Sequence, residues 1–128
     1  MRVEIASKQV KLHETPLEEI LVLGSSIEVT FDDTEETRWK LTFRPYQGLK
    51  VTTIDCAATS LFIIDGKRPQ YLLEAFESSW VKELSDSLKQ RDRTGDFMSH
   101  AHHYIIPCQD NIIEVVAWDN FSLEKIKA

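Results

Sequence analysis

The sequence is short of the features that usually announce a chemistry. It has two cysteines, Cys56 and Cys108, and neither stands in a CxxC pair or in the Cys/His spacing of a zinc site. Both are expected to be reduced, buried thiols. The four glycines, at positions 24, 48, 66 and 95, are scattered, so no glycine-rich loop cradles a phosphate, and each is assigned to a turn or loop. No apolar run approaches the ~20 residues needed to cross a bilayer. The opening MRVEIASKQV alternates instead of forming a signal-peptide core, which points to a cytoplasmic protein with no membrane partner. Excess positive charge is also missing: 15 Lys and Arg against 21 Asp and Glu give a net charge of −6. Phosphate attraction needs clustered cations, so nucleic-acid binding is not expected, and a basic protein partner suits the chain better.

What is present is the profile of a folded domain, with 42% hydrophobic and 28% charged residues. At 128 residues, the chain is of single-domain size, can bury roughly two-thirds of its unfolded surface, and contains no repeat or long linker. The strongest stretch is Tyr104 to Trp118, YIIPCQDNIIEVVAW, which reads as a β-hairpin turning at Asp110 and Asn111. That turn opposes Gln109 to Ile112, Cys108 to Ile113 and Ile106 to Val115. One face then carries Tyr104, Ile106, Cys108, Ile113, Val115 and Ala117, and belongs on the core. The other carries His103, Ile105, Pro107, Ile112, Glu114, Val116 and Trp118, and is expected to be partly roofed.

Earlier in the chain, Met1 to Ala6 and Gln9 to His13 alternate as short strands. Thr15-Pro16-Leu17-Glu18 has the form of a helix start, with Thr15 as N-cap and Gly24 as the matching stop. From Ile27 a period of two takes over. Pairing Phe31 with Trp39, Val29 with Leu41 and Ile27 with Phe43 puts the apolar side chains on one face and sets Asp32 against Arg38 on the other. Pro45 to Gly48 reads as a turn, after which Leu49 to Asp55 is expected to complete a three-stranded meander, with Leu49 and Val51 facing Phe43 and Leu41. Ser60 to Ile64 and Gln70 to Glu77 suggest a further hairpin looped at Asp65 to Pro69. Ser78 or Ser79 caps the principal helix, whose apolar stripe is Trp80, Val81, Leu84 and Leu88. QRDRTGD, 90 to 96, is a surface loop, Asp119 and Asn120 make a break, and Phe121 to Ile126 is a final strand or helical turn. The fold expected is α+β: one domain over 1–128, a mostly antiparallel sheet of six or seven strands with one amphipathic helix packed on it.

Among candidate sites, His100, His102 and His103 form the one histidine cluster. His100 and His102 share a face if the segment is a strand, so a metal-assisted hydrolase is one reading. Asp96 or Asp119 could supply a third ligand. His103 points the other way, and Glu114 on its face is offset by about 13 Å on strand spacing. Cys108 and His103 fall on opposite faces, which forbids a Cys–His dyad, and Gly24-Ser25-Ser26 lacks a nucleophile elbow. Glu114 and Glu74, carboxylates within apolar strands, are candidate acid–base groups without partners. The basic stripe of Arg38, Lys40, Arg44 and Lys50 is mostly answered by cross-strand acids. Asp33, Glu35 and Glu36 are left at the turn tip, where they suit a basic protein surface.

The reading these features favour is a bacterial, non-enzymatic domain of regulatory or immunity type that binds a basic protein through Asp33, Glu35 and Glu36 and uses no cofactor. The alternatives are the metal-assisted hydrolase on His100 and His102, and a homo-oligomeric module joined through the outer face of the Tyr104 to Trp118 hairpin.

Overall fold

The computed structural model describes residues 1–118 and 121–126, so the expected break at Asp119 and Asn120 lies outside the described residues. Nine strands form among these residues: β1 (Arg2–Ser7), β2 (Glu19–Leu23), β3 (Ser26–Asp32), β4 (Arg38–Phe43), β5 (Tyr46–Thr53), β6 (Leu72–Phe76), β7 (Ala101–Pro107), β8 (Asn111–Trp118) and β9 (Phe121–Lys125). The helix α1 spans Ser79–Arg91. The class is α+β with antiparallel pairing, but the strands divide into two sheets instead of one. A five-stranded sheet has the order β1-β6-β7-β8-β5, and a four-stranded sheet has the order β2-β3-β4-β9.

The two sheets face each other across the main core. Ile27, Val29, Phe31, Leu41 and Phe43 from the smaller sheet meet Leu72, Tyr104, Ile106, Ile113, Val115 and Ala117 from the larger, with Cys108 of the β7–β8 turn beside them. The register of β3 on β4 is the one the alternation demands, with Ile27 opposite Phe43, Val29 opposite Leu41 and Phe31 opposite Trp39. Asp32 and Arg38 close the outer face with a 3.1 Å ion pair. The meander ends there. The next strand after β4 crosses to the larger sheet, where β5 pairs with β8, and the place beside β4 is taken by β9. Leu49 and Val51 therefore lie opposite Val115 and Ile113, not Phe43 and Leu41.

The expected helix from Thr15 to Gly24 is replaced by an edge strand. Two helical turns are marginal on their own, whereas β-branched Ile20 and Val22 suit a strand that completes the ladder of β3. Ile20 lies opposite Val29 and Val22 opposite Ile27. Gly24, at φ +57°, makes the turn from β2 into β3 instead of stopping a helix. Gln9 to His13 forms no strand, and only a single bridge joins Leu12 to Asp33. The hairpin expected from Ser60 is reduced to a 3-10 turn at Thr59–Phe62 and a bridge from Ile64 to Lys67, while β6 pairs with β1 and β7.

The second face of the larger sheet is roofed, as its mixed composition suggests. One end is covered by Phe62, Ile54, Ala57 and Ile64, packed with Leu73, Ala75, Ile105 and Ile112. The other end lies under α1. Gly48 belongs to β5 and not to a turn: a Cβ there would stand 2.7 Å from the Trp80 ring, so only a bare backbone lets the helix sit this close. The stripe of Trp80, Val81, Leu84 and Leu88 is the half-buried side of α1.

Candidate functional site

Where β6 leaves the sheet, the structure gathers Ser78, two histidines and two carboxylates in mutual hydrogen bonds. Glu77, at φ +58°, turns the chain out of β6, and Ser78 caps α1 by accepting the Val81 N–H at 3.2 Å. Beside it, β6 and β7 pair over only Leu73–Ala75 and His103–Ile105 and then part. A cleft of about 770 Å³ occupies the gap, lined among others by Glu74, Ser78, Lys82, Met98, His102 and His103.

Ser78 and His103 lie in the wall of this cleft, and Glu114 continues the chain of hydrogen bonds behind His103. His103 is 3% exposed. Its Nδ1 lies 2.8 Å from Ser78 Oγ and its Nε2 lies 2.8 Å from Glu114 Oε1. With the imidazole neutral and Glu114 ionised, a carboxylate can only accept, so the ring proton belongs on Nε2 and Nδ1 is left as the acceptor for the Ser78 hydroxyl proton. The Trp80 indole stands edge-on to the imidazole at 5.2 Å between ring centres and holds it from the third side. Chemically, this is a hydroxyl directed at a base whose far side is oriented by a carboxylate.

Glu114 reaches His103 because the β7–β8 hairpin turns one residue earlier than its Asp-Asn pair suggests, centred on Gln109 and Asp110. Pro107 lies opposite Ile112, Ile106 opposite Ile113 and Tyr104 opposite Val115, two residues away from the expected register. The turn spans Cys108 to Asn111 and is closed by the Cys108 N–H donating to the Asn111 carbonyl at 3.0 Å. A shift of two leaves each side chain on its expected face while moving Glu114 to a diagonal position, about 7 Å along the hairpin from His103 instead of 13 Å.

The other histidines separate. His100 falls in a 3-10 turn, Phe97–His100, and packs on Trp118, whereas His102 stacks on Tyr104. Trp118 and Tyr104 occupy opposite faces of the sheet, so His100 and His102 do not share one. His102 Nδ1 is instead 2.6 Å from Glu74 Oε2, which gives that carboxylate its partner. Among the described residues, no group of three His, Cys, Asp or Glu side chains is placed to hold a metal ion. Cys108 is buried on the core side, and burial, with the Glu18 charge adding to it, pushes its thiol far above the usual range. Cys56, expected to be buried, is exposed.

The turn-tip acids are unequal. Asp33 is committed to its own turn: its Oδ1 accepts the Glu35 and Thr37 N–H groups at 2.8 and 2.9 Å, and its Oδ2 accepts the Trp39 indole N–H at 2.9 Å. Glu35 and Glu36 project into solvent. They stand at the Glu19 end of β2, because the Asp32 N–H donates to the Pro16 carbonyl at 2.8 Å and Arg38 bridges Asp32 to Glu19.

The edge strand β2 is a feature that the helical reading concealed. Among the described residues it has a neighbour on one side only, β3. Leu21 and Leu23 point outward at 51% and 52% exposure, Val22 is 47% exposed although it lies opposite the fully buried Ile27, and Leu17 just before the strand is 67% exposed. Such edges are normally blunted by charge, proline or a bulge, and none interrupts residues 20 to 23. By contrast, the outer face of the Tyr104 to Trp118 hairpin is covered by α1 and the 54–64 segment.

Compared with protein-family models, characterised proteins and solved structures, the chain matches none.

Proposed function

We propose that this protein acts by recognition, adding a strand of a partner protein to the open edge of β2. The observation that carries the proposal is the exposed run of Leu17, Leu21, Val22 and Leu23 beside unpaired strand backbone. Strand addition uses both parts of such an edge: main-chain hydrogen bonds supply affinity, and alternate side chains supply selectivity. The charge around it narrows the partner. Glu19, Glu35 and Glu36 at one end favour an extended apolar segment with Lys or Arg at the corresponding end. The cytoplasm, where an exposed thiol such as Cys56 stays reduced, is the compartment that suits the chain.

Selection from a library of extended peptides tests the proposal. Binders are expected to be alternating apolar segments with a basic end. Leu21→Lys combined with Leu23→Lys should abolish their binding, and Glu35→Lys combined with Glu36→Lys should weaken it, most strongly at low salt. Binding that survives the β2 changes would refute strand addition at this edge. All four side chains are exposed, so each substitution should alter stability by no more than about 0.5 kcal/mol.

A further inference from the structure

We propose that Ser78 is a nucleophile and that the cleft beside it takes a small carboxylic ester, which the chain hydrolyses through an acyl-Ser78 intermediate. Capping α1 requires nothing more than a short polar side chain, and Asp, Asn or Thr would serve. Capping does not explain what lies on the other side of the hydroxyl. His103 Nδ1 is within 2.8 Å of Oγ, and a carboxylate on Nε2, also at 2.8 Å, fixes the tautomer that leaves Nδ1 free to take a proton. Both distances are those of a working nucleophile–base–orienter arrangement. The two ring nitrogens exchange the roles they play in the serine-protease triad, but the proton arithmetic is the same.

The local backbone adds to the case. Strand β6, the positive-φ residue Glu77 and then Ser78 at the start of α1 present the hydroxyl on a sharp strand-to-helix turn. The N–H groups of Ser79 and Trp80, in the first turn, have no acceptor within the helix and carry the positive end of its dipole. They are the donors nearest in the chain to an oxyanion formed at Ser78. Phe76, Val81 and Met98 give the cleft an apolar portion suited to an acyl chain.

In the first step Ser78 Oγ bonds to the ester carbonyl carbon while its proton passes to His103 Nδ1. The tetrahedral adduct collapses, its bond to the alkoxy oxygen breaks, and the alcohol leaves with the proton from Nδ1. A water molecule then attacks the acyl-serine, giving its proton to His103, and the proton returns to Ser78 Oγ as the carboxylic acid departs. Glu114 touches no reacting atom and is a positioning residue.

The test uses the full chain with p-nitrophenyl acetate and a fluorophosphonate probe. Ser78→Asn preserves a capping side chain but has no nucleophile, so it separates chemistry from folding. The expected result is one fluorophosphonate adduct, mapped to Ser78, together with ester hydrolysis that Ser78→Asn abolishes without a change in circular dichroism. His103→Gln should slow acylation by at least about a hundredfold. Glu114→Gln should lower kcat while leaving KM unchanged. A folded wild-type protein that leaves Ser78 unlabelled, or that hydrolyses the ester no faster than Ser78→Asn, overturns the proposal.

Discussion

His103 and Glu114 meet across the diagonal of the β7–β8 hairpin, with Nε2 and Oε1 2.8 Å apart, although the residue directly opposite His103 is Val116. The pair lies in the roofed face of the larger sheet, where an unpartnered polar group is costly. Glu114→Ala should therefore destabilise the fold by about 1–3 kcal/mol, because it strands the Nε2 proton away from water. Glu114→Gln should cost less, since the amide oxygen can still accept. Urea unfolding of the two variants checks the order, and an unchanged midpoint for Glu114→Ala would show that the bond contributes nothing to the fold.

Gly48 offers a second, sterically cleaner measurement. Gly48→Ala places a methyl group 2.7 Å from the Trp80 ring and 3.3 Å from Leu84, so α1 must shift or tilt. Overpacking of this kind typically costs about 1–3 kcal/mol. The shift should also disturb the Trp80 ring against Lys50, which lies 4.2 Å from the ring centre, and against His103. A lower urea midpoint together with a changed tryptophan emission spectrum is expected. Unchanged stability would mean that α1 is not seated as described.

His103 and Glu114 show what the sequence could and could not disclose. Faces were legible wherever alternation was strong. Ile27 to Phe43 has the pairing its pattern demands, and the core face of Tyr104 to Trp118 is correct because a register shift of two preserves parity. Register itself was not legible, since Cys108 to Asn111 can close the turn as well as Asp110-Asn111, and that ambiguity hid Glu114 from His103. Ser78 was visible as a cap, but its contact with a residue 25 positions later depends on β6 lying beside β7, which no local pattern encodes. Leu17 to Leu23 misled for a related reason. Its helix-start signals are real, but propensity over so few residues yields to a ladder waiting on β3.

The two thiols should react in opposite ways. Cys56 is exposed and Cys108 is buried with its thiol pushed far up by burial, so little nucleophilic thiolate forms at Cys108 in the native state. Ellman's reagent at neutral pH should modify one thiol rapidly and the second only after denaturation. Cys56→Ser should remove the fast phase completely. A second fast thiol in the native protein would place Cys108 at the surface and contradict the packing of the core.

Asp33 makes stability depend on acid in a direction that its surroundings fix. Burial raises its carboxyl, but the bonds from Trp39, Thr37 and Glu35, with the Lys125 charge, outweigh this and hold it below the ordinary range. A carboxyl depressed in the folded state contributes stability that is fully present above its unfolded value, about 3.9, and is lost as pH falls through the lower folded value. Asp33→Asn, which keeps one acceptor oxygen and loses the charge, should be less stable than wild type by about 1 kcal/mol at neutral pH. The gap should hold down to about pH 5 and narrow below about pH 4, as the wild-type carboxyl takes up its proton. Urea midpoints for both proteins at neutral pH and near pH 3 measure the gap directly. A gap that widens in acid would mean that the turn is held by something other than the ionised carboxylate, and Glu35 and Glu36 would lose the fixed frame that holds them at the end of β2.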